Sequence, residues 1–328
     1  MLIPIIIMVV KVLVIFAGLM TCVAYMTYAE RKVVAHIQVR KGPLFVGYHG
    51  LLQPIADAVK LLFKEDFTLA GCNKIIYNLA PLVTFIPALL AIAVIPVGDQ
   101  ITVAGETTNL MISDLNVGIL FIFAVSSLGI YGLVLGGWSA NSKYSLLGAL
   151  RSSAQMISYE VSLGLSVIGV LLLAGTLSLN EIVKAQSGGI LDWFIFRQPI
   201  GFLLFVTAAI AETNRIPFDL PEAEAELVGG YHTEYAGMKF AMFFMGEYAS
   251  MITVSALAAT LFLGGWSGPI LPPVVWFLLK MSFFLFSYIW IRGTLPRFRY
   301  DQLMRFGWLV LFPLALLNTM VTALIAIL

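Results

Sequence analysis

Charge is scarce in this chain. Asp, Glu, Lys and Arg make up 11% of its 328 residues, against 60% hydrophobic residues and a mean hydropathy of +0.96. A soluble domain carries about a quarter charged residues, so the composition excludes a water-soluble enzyme and implies an integral membrane protein. Cysteine is nearly absent. Cys22 and Cys72 stand alone, and neither a disulfide framework nor a Cys-x-x-Cys metal cluster can be drawn from them. His36, His49 and His232 are too scattered for a metal site. No strand-bounded Gly-rich fingerprint for a dinucleotide or a phosphate is present, and no Ser/His/Asp arrangement can be argued. With a net charge of +1 and no basic run, nothing suggests a nucleic-acid partner. The chain by itself has no visible means of transferring electrons, and no covalently bound cofactor is implied.

What it has in abundance is long apolar runs. Measured against the roughly 20 residues a helix needs to cross a bilayer, eight spans are expected: 3–26, 78–97, 116–138, 154–174, 196–212, 239–263, 273–293 and 304–326. The expected fold is all-α, a single polytopic membrane domain over 1–328 with no soluble domain. The first run has no small-residue cleavage site and reads as a retained span. Of 19 Lys and Arg, 15 fall in or beside the connections 27–77, 139–153, 213–238 and 294–303. Only Lys184 and Arg197 lie on the other side, while Lys11 and Lys280 fall within spans. By the positive-inside rule the basic side is cytoplasmic and both termini face out. The segment Gly50–Glu65 has Leu51, Leu52, Ile55, Val59, Leu62 and Phe63 at helical spacing, with Gln53, Asp57, Lys60 and Lys64 on the other face. It reads as an amphipathic helix lying at the membrane surface or packed on a partner. The outer connections 98–115, 175–195 and 264–272 read as ordinary connectors, with Asp99, Glu106 and Asp114 as solvated charges.

Where charge does appear, it is concentrated. Between Ala211 and Glu247 stand seven carboxylates: Glu212, Asp219, Glu222, Glu224, Glu226, Glu234 and Glu247. They are opposed by Arg215, Lys239 and whatever His232 contributes. Glu212 and Glu247 sit inside or at the edge of apolar spans, where ionisable groups are expensive and mark a polar route or a site. Crowded carboxylates cannot all stay ionised, and some hold protons near neutral pH. Glu222, Glu224 and Glu226 alternate with alanine, so an extended chain would turn all three to one side. A solvated acidic loop is the ordinary reading of such a triplet, but the embedded acids on either side weigh against it. Glu160 is a further acid within a span, with the earlier Arg151 as a candidate partner. Arg292, Arg297, Arg299, Asp301 and Arg305 gather at a cytoplasmic boundary, which positive-inside anchoring explains in large part.

Four blocks of sequence resemble the quinone-site membrane subunits of respiratory NADH–quinone oxidoreductase, complex I (the H subunit of bacteria, subunit 1 of mitochondria). They are Glu30-Arg-Lys through Gln38-Val-Arg-Lys-Gly-Pro43 with Gly50–Glu65; Gly137–Ser145 with Arg151 and Ile157-Ser-Tyr-Glu160; Ala211–Asp219 with the acidic triplet and Glu234–Phe240; and Arg292–Met304. One departure is Leu309, where the family often has Lys after the Gly-Trp pair found at Gly307-Trp308. The resemblance implies a chamber through which a lipid-soluble quinone, as substrate, reaches a reduction site near the membrane surface. Arg31, Arg40, Asp57, Arg215, Asp219, Arg292, Arg297, Arg299 and Asp301 match positions around that chamber or its supporting charges. It also implies an acidic proton channel matched here by Glu160, Glu212, Glu222, Glu224, Glu226, Glu234 and Glu247. The iron–sulfur clusters and flavin would belong to partner subunits. Those partners are hydrophilic quinone-site subunits carrying the terminal cluster, small membrane subunits and antiporter-like subunits, all in or on the bacterial inner membrane.

Two other readings stand beside it. Relatives of the same architecture occur in membrane-bound hydrogenase and ferredoxin-linked complexes, where quinone is not required. A free-standing cation–proton antiporter would also need intramembrane acids, and Lys280 could serve it as a coupled charge.

Overall fold

The computed structural model describes residues 2–69, 71–103, 106–219 and 229–327. Its architecture is all-α and multi-pass, as the composition requires. Seven helices are long and apolar enough to cross a membrane, and Pro199–Glu212 is a shorter apolar helix. The acidic triplet Glu222, Glu224 and Glu226 lies outside the described residues.

In chain order the helices are α1 (Leu2–Ile37), α2 (Gln53–Phe63), α3 (Lys74–Ala91), α4 (Gly118–Ser139) and α5 (Lys143–Ala174). They continue as α6 (Leu179–Ala185), α7 (Phe194–Arg197), α8 (Pro199–Glu212), α9 (Gly237–Phe262), α10 (Pro273–Thr294), α11 (Tyr300–Phe306) and α12 (Phe312–Ile327). Two of them run well past the apolar stretch that announces them. α1 has 36 residues, about 54 Å at 1.5 Å per residue, because no breaker interrupts Tyr28–His36 after the apolar run stops. α5 likewise starts at Lys143, eleven residues before its expected span at 154. Hydropathy locates the part of a helix in lipid, and backbone hydrogen bonding carries the helix on beyond it.

Packing is close wherever small residues meet. α3 lies along α4, α9 packs on α3 and α10, and α5 packs on α4, α8 and α12. A Cβ on Gly132 of α4 would sit 2.4 Å from Thr84 Cγ2 and 2.7 Å from the Thr84 backbone nitrogen of α3, so only glycine permits that approach. Gly148 of α5 serves the segment 229–236 in the same way. A Cβ there would lie 2.9 Å from Gly230 Cα, and Ser145 Oγ donates to the Tyr231 carbonyl at 2.9 Å beside it. α9 is the most enclosed of the long helices and α1 the least. Between α11 and α12 the backbone makes a π turn, Gly307–Leu311. Pro313 follows and has no N–H to give the carbonyl four residues back, which accounts for the widened turn.

The connections expected on the outer side are more ordered than connectors need be. β1 (Gly98–Val103) pairs antiparallel with β2 (Glu106–Leu110). Lys11, an in-span cation by sequence, donates from α1 to the carbonyls of Asn109 at 2.9 Å and Met111 at 3.5 Å. Asp114 is exposed, as expected of a solvated charge, and also accepts from Asn109 at 3.0 Å and from Asn180 of α6 at 3.5 Å. Lys280 closes the same end. Its ammonium donates to the carbonyls of Leu263, Gly265 and Ser267 at 2.5, 2.9 and 2.6 Å and lies 4.2 Å from the Trp193 ring centre. It thus caps the carbonyl end of α9, where a cation is favoured by the helix dipole and by the indole face.

Lys280→Met should therefore destabilise the chain by about 2–5 kcal/mol, since buried carbonyls left without donors cost roughly 1–3 kcal/mol each and some will find water. Thermal unfolding of the solubilised protein measures this. An unchanged melting temperature would mean that the three carbonyls do not need the ammonium.

Candidate functional site

The site begins with a carboxylate on α1. Glu30 falls in register with Leu19, Val23 and Met26 on the buried stripe of α1 and is itself 8% exposed. It accepts from Arg292 in the last turn of α10, from the Tyr248 hydroxyl of α9 at 2.9 Å, and from Arg215 at 3.4 Å. Arg215 follows α8 and is also ion-paired through Nε to Glu247 of α9 at 2.7 Å. Its guanidinium carbon stacks 4.3 Å above the Tyr248 ring. Arg292, Glu30, Arg215 and Glu247 thus alternate in sign across three long helices and one loop. Only Arg292, with a side chain 33% exposed, reaches the solvent side; Arg215 is 8% and Glu247 14% exposed. A buried charge without its counter-charge would cost several kcal/mol, so these four hold one another in place.

The loop that carries Arg215 is shaped by its own contacts. Gln155 of α5 donates to the carbonyls of both Ala211 and Phe218 at 2.7 Å. The Phe218 ring stacks with Phe298 and Phe306, centres 5.6 and 6.4 Å apart. Asp219, buried at the end of the loop, is ion-paired to Arg297 at 2.9 Å.

Beyond Glu247 lies a cavity of about 80 Å³ enclosed by α3, α4, α5 and α9 and the end of α8. Its wall is largely apolar, with Glu212, Asn214, Glu247, Ser250 and Thr253 among the polar side chains that face it. At roughly 10–15 Å³ per water it has room for several molecules. One oxygen of Glu212 is buried and meets no hydrogen-bond partner among the described residues. Glu160 does not line the cavity. It accepts from Ser127 of α4 and lies within electrostatic reach of Glu212. Arg151, the partner considered for it, stands nine residues earlier on α5, about 13 Å along the axis, which is too far for the two side chains to pair directly.

The remaining expected residues divide by location. Arg31 and Asp57 pair at 2.5 Å, with Gln53 also donating to Asp57 at 2.9 Å. Arg31, Arg40 and Arg292 line a pocket of about 360 Å³ together with Glu30 and Lys41. Arg299 and Asp301 pair with each other at 3.3 Å, with side chains 76% and 62% exposed, and touch neither pocket nor cavity. The backbone carbonyl of Glu234 accepts from Tyr77 at 2.7 Å, and its side chain lines neither the cavity nor the pocket. In the same segment His232 is packed among the rings of Tyr231, Phe240 and Phe244. Burial lowers its pKa to about 4, so the imidazole is neutral at physiological pH. Among the described residues no cluster of three or more His, Cys, Asp and Glu could hold a metal ion.

Glu30 stands in a block that carries the resemblance yet has no role among the expected site residues, and Tyr248, Gln155 and Ser127 are not among them at all. A signal for Glu30 existed. Leu19, Val23, Met26 and Glu30 repeat at four, three and four residues, which places the acid on the buried stripe and its neighbours Arg31 and Lys32 off it. Gln155 and Ser127 carry no comparable mark, since their partners are a loop carbonyl and a carboxylate on another helix.

Comparison with known proteins adds the following. The sequence model of the family described as NADH dehydrogenase matches residues 10–323. The chain is 55% identical over 330 residues to an H subunit of NADH-quinone oxidoreductase from Geobacter metallireducens, covering 97% of this chain and 95% of that one. It is 56% identical to an H subunit of the same enzyme from Koribacter versatilis, with 96% and 95% covered. It is 54% identical to the H subunit from Protochlamydia amoebophila, with 92% of each covered.

Arg215→Met should cost the fold about 3–5 kcal/mol, the penalty for stranding buried charge. The double variant Arg215→Met/Glu247→Gln should lose less than the single one, because one of the stranded carboxylates has gone. Thermal unfolding of both, read as a double-mutant cycle, tests the pairing. Additive losses would mean that Arg215 and Glu247 do not act as a unit.

Proposed function

The chain belongs to the NADH dehydrogenase family and is a membrane subunit of NADH–quinone oxidoreductase, not catalytic alone; from that premise we propose that it forms much of a quinone chamber and couples it to an acidic proton channel. One observation carries the reading: Arg292, Glu30, Arg215 and Glu247 alternate in sign from the pocket beside Arg40 and Lys41 to the wall of the cavity between the long helices. The chamber lies at the cytoplasmic ends of α1 and α10 under α2, with Arg31, Arg40, Asp57 and Arg292 nearest the quinone. Arg215, Asp219 and Arg297 form the supporting charges, joined by Arg299 and Asp301 at the surface. Glu247, Glu212 and Glu160 lead through the membrane interior, with Glu234 and the triplet Glu222, Glu224 and Glu226 supplying the cytoplasmic end. The chain carries no redox centre of its own. Electrons come from an iron–sulfur cluster in a hydrophilic partner, fed by flavin further off. Protons pass laterally to small and antiporter-like membrane subunits.

Electrostatics suggest how the coupling works. Reduction places negative charge on the quinone, and that charge competes with Glu30 for the Arg292 guanidinium. Glu30 then draws Arg215 toward itself and away from Glu247. A carboxylate at that depth without its counter-ion is expensive, so Glu247 takes a proton from the cavity. Relaxation of the network when quinol leaves restores the Arg215–Glu247 pair and expels the proton. The positive-inside distribution supports a bacterial inner-membrane orientation with both termini outside and one membrane domain over the whole chain. Lys280, the charge an antiporter would need free, is occupied by three carbonyls.

Glu212→Gln should assemble and yet slow coupled turnover about tenfold or more, since amide keeps volume and loses the titration. Single Gln variants of Glu222, Glu224 and Glu226 should keep partial pumping because coupled carboxylates substitute for one another, and the triple variant should lose nearly all of it. Proton uptake by the assembled complex in proteoliposomes, scored per complex, is the measurement. Full pumping by Glu212→Gln and by the triple variant would remove the channel from this chain.

Asp57→Asn should change quinone KM or inhibitor sensitivity severalfold with kcat at saturating quinone less affected, by freeing Arg31 at the chamber edge. Failure of the chain to accumulate in membranes would give Asp57 a folding role instead.

A further inference from the structure

Tyr288 of α10 is buried, at 8% exposed, yet its hydroxyl meets no hydrogen-bond partner among the described residues. Other buried tyrosines commit theirs: Tyr77 to the Glu234 carbonyl, Tyr159 to the Leu303 carbonyl, Tyr235 to Ser139 and Tyr248 to Glu30. Interior donors are rarely left idle, and an exception calls for a reason. The position of Tyr288 supplies one. It stands four residues before Arg292 on the same face of α10, about 6 Å further from the helix end. Arg292 meets Glu30, while the Tyr288 hydroxyl lies beside the Thr213 hydroxyl and within electrostatic reach of Glu212 and Arg215. Thr213 spends its own proton on the carbonyls of Ala209 and Ile210, each at 3.2 Å, and has only lone pairs to offer. One oxygen of Glu212 is also buried and without a donor. An idle donor thus stands near an acid that lacks one.

We propose that Tyr288 is a positioning residue of the proton route, its hydroxyl donating to the Glu212 carboxylate once that acid has given up its proton. The Arg215 guanidinium is engaged by Glu30 and Glu247, so an ionised Glu212 needs a neutral donor at that depth. The phenol supplies one and keeps its own proton. With Glu212 protonated, the Thr213 oxygen is the alternative acceptor, so the hydroxyl has a place in each state. Tyr288 does not line the cavity, and its donation is separate from any water there. The inference rests on the channel reading above and adds a residue that the reading does not use.

The test uses the assembled complex in proteoliposomes, scored per complex. Tyr288→Phe keeps the ring and removes the donor. Pumping turnover at saturating quinone should fall about tenfold, the weight of a hydrogen bond to a charged group, with quinone KM unchanged. Introducing 3-fluorotyrosine at position 288 keeps the O–H and should restore the rate. In a Glu212→Gln background Tyr288→Phe should cost nothing more, because the acid it serves no longer ionises. A further tenfold loss in that background would mark a packing role and overturn the proposal. Slow pumping by Glu212→Gln with wild-type pumping by Tyr288→Phe would overturn this inference alone. Full pumping by Glu212→Gln would remove the channel reading and this role with it.

Discussion

Arg215 is shared between two carboxylates, Glu30 on α1 and Glu247 on α9, and the rest of the inner half of the molecule is arranged around that sharing. None of the three could be placed there alone. A guanidinium has a planar fork and an apolar face, so Arg215 can bridge two acids and still stack on Tyr248, which a lysine could not do. Because its partners lie on separate helices, the pairing also sets how α1, α9 and α10 approach one another. The loop after α8 must then be held to about an ångström, and Gln155 with its two bonds to that loop does this from α5.

The two ends of the bundle solve their polar problems differently. At the outer end Lys11, Asp114 and Lys280 meet backbone carbonyls and amides. These contacts hold each charge against backbone carbonyls or side-chain amides rather than against an opposite charge. At the inner end charges meet charges, and one oxygen of Glu212 faces a cavity with no hydrogen-bond partner among the described residues. One end of the bundle is closed by hydrogen bonds to carbonyls and amides, and the other is built of ion pairs between helices.

Much of this was legible in the residues. The all-α, multi-pass class follows from 60% hydrophobic composition, because a chain in lipid must satisfy its backbone internally. The amphipathic helix was visible in the spacing of Leu51 to Phe63, and the cost of acids within apolar runs marked Glu212 and Glu247 as side chains in need of polar surroundings. Local pattern determined these because each depends on a stretch of sequence and its solvent. Only the tertiary structure decided the pairings. Glu30 sits 185 residues from Arg215 and 262 from Arg292, and no periodicity links such positions. The same holds for Lys280, an apparent free charge until Leu263, Gly265 and Ser267 turn their carbonyls toward it. It holds for α2 as well, whose Asp57 could have met only water and instead pairs with Arg31 of α1. A side chain's chemistry is written at its own position, but its partner is chosen by which helices come to lie side by side.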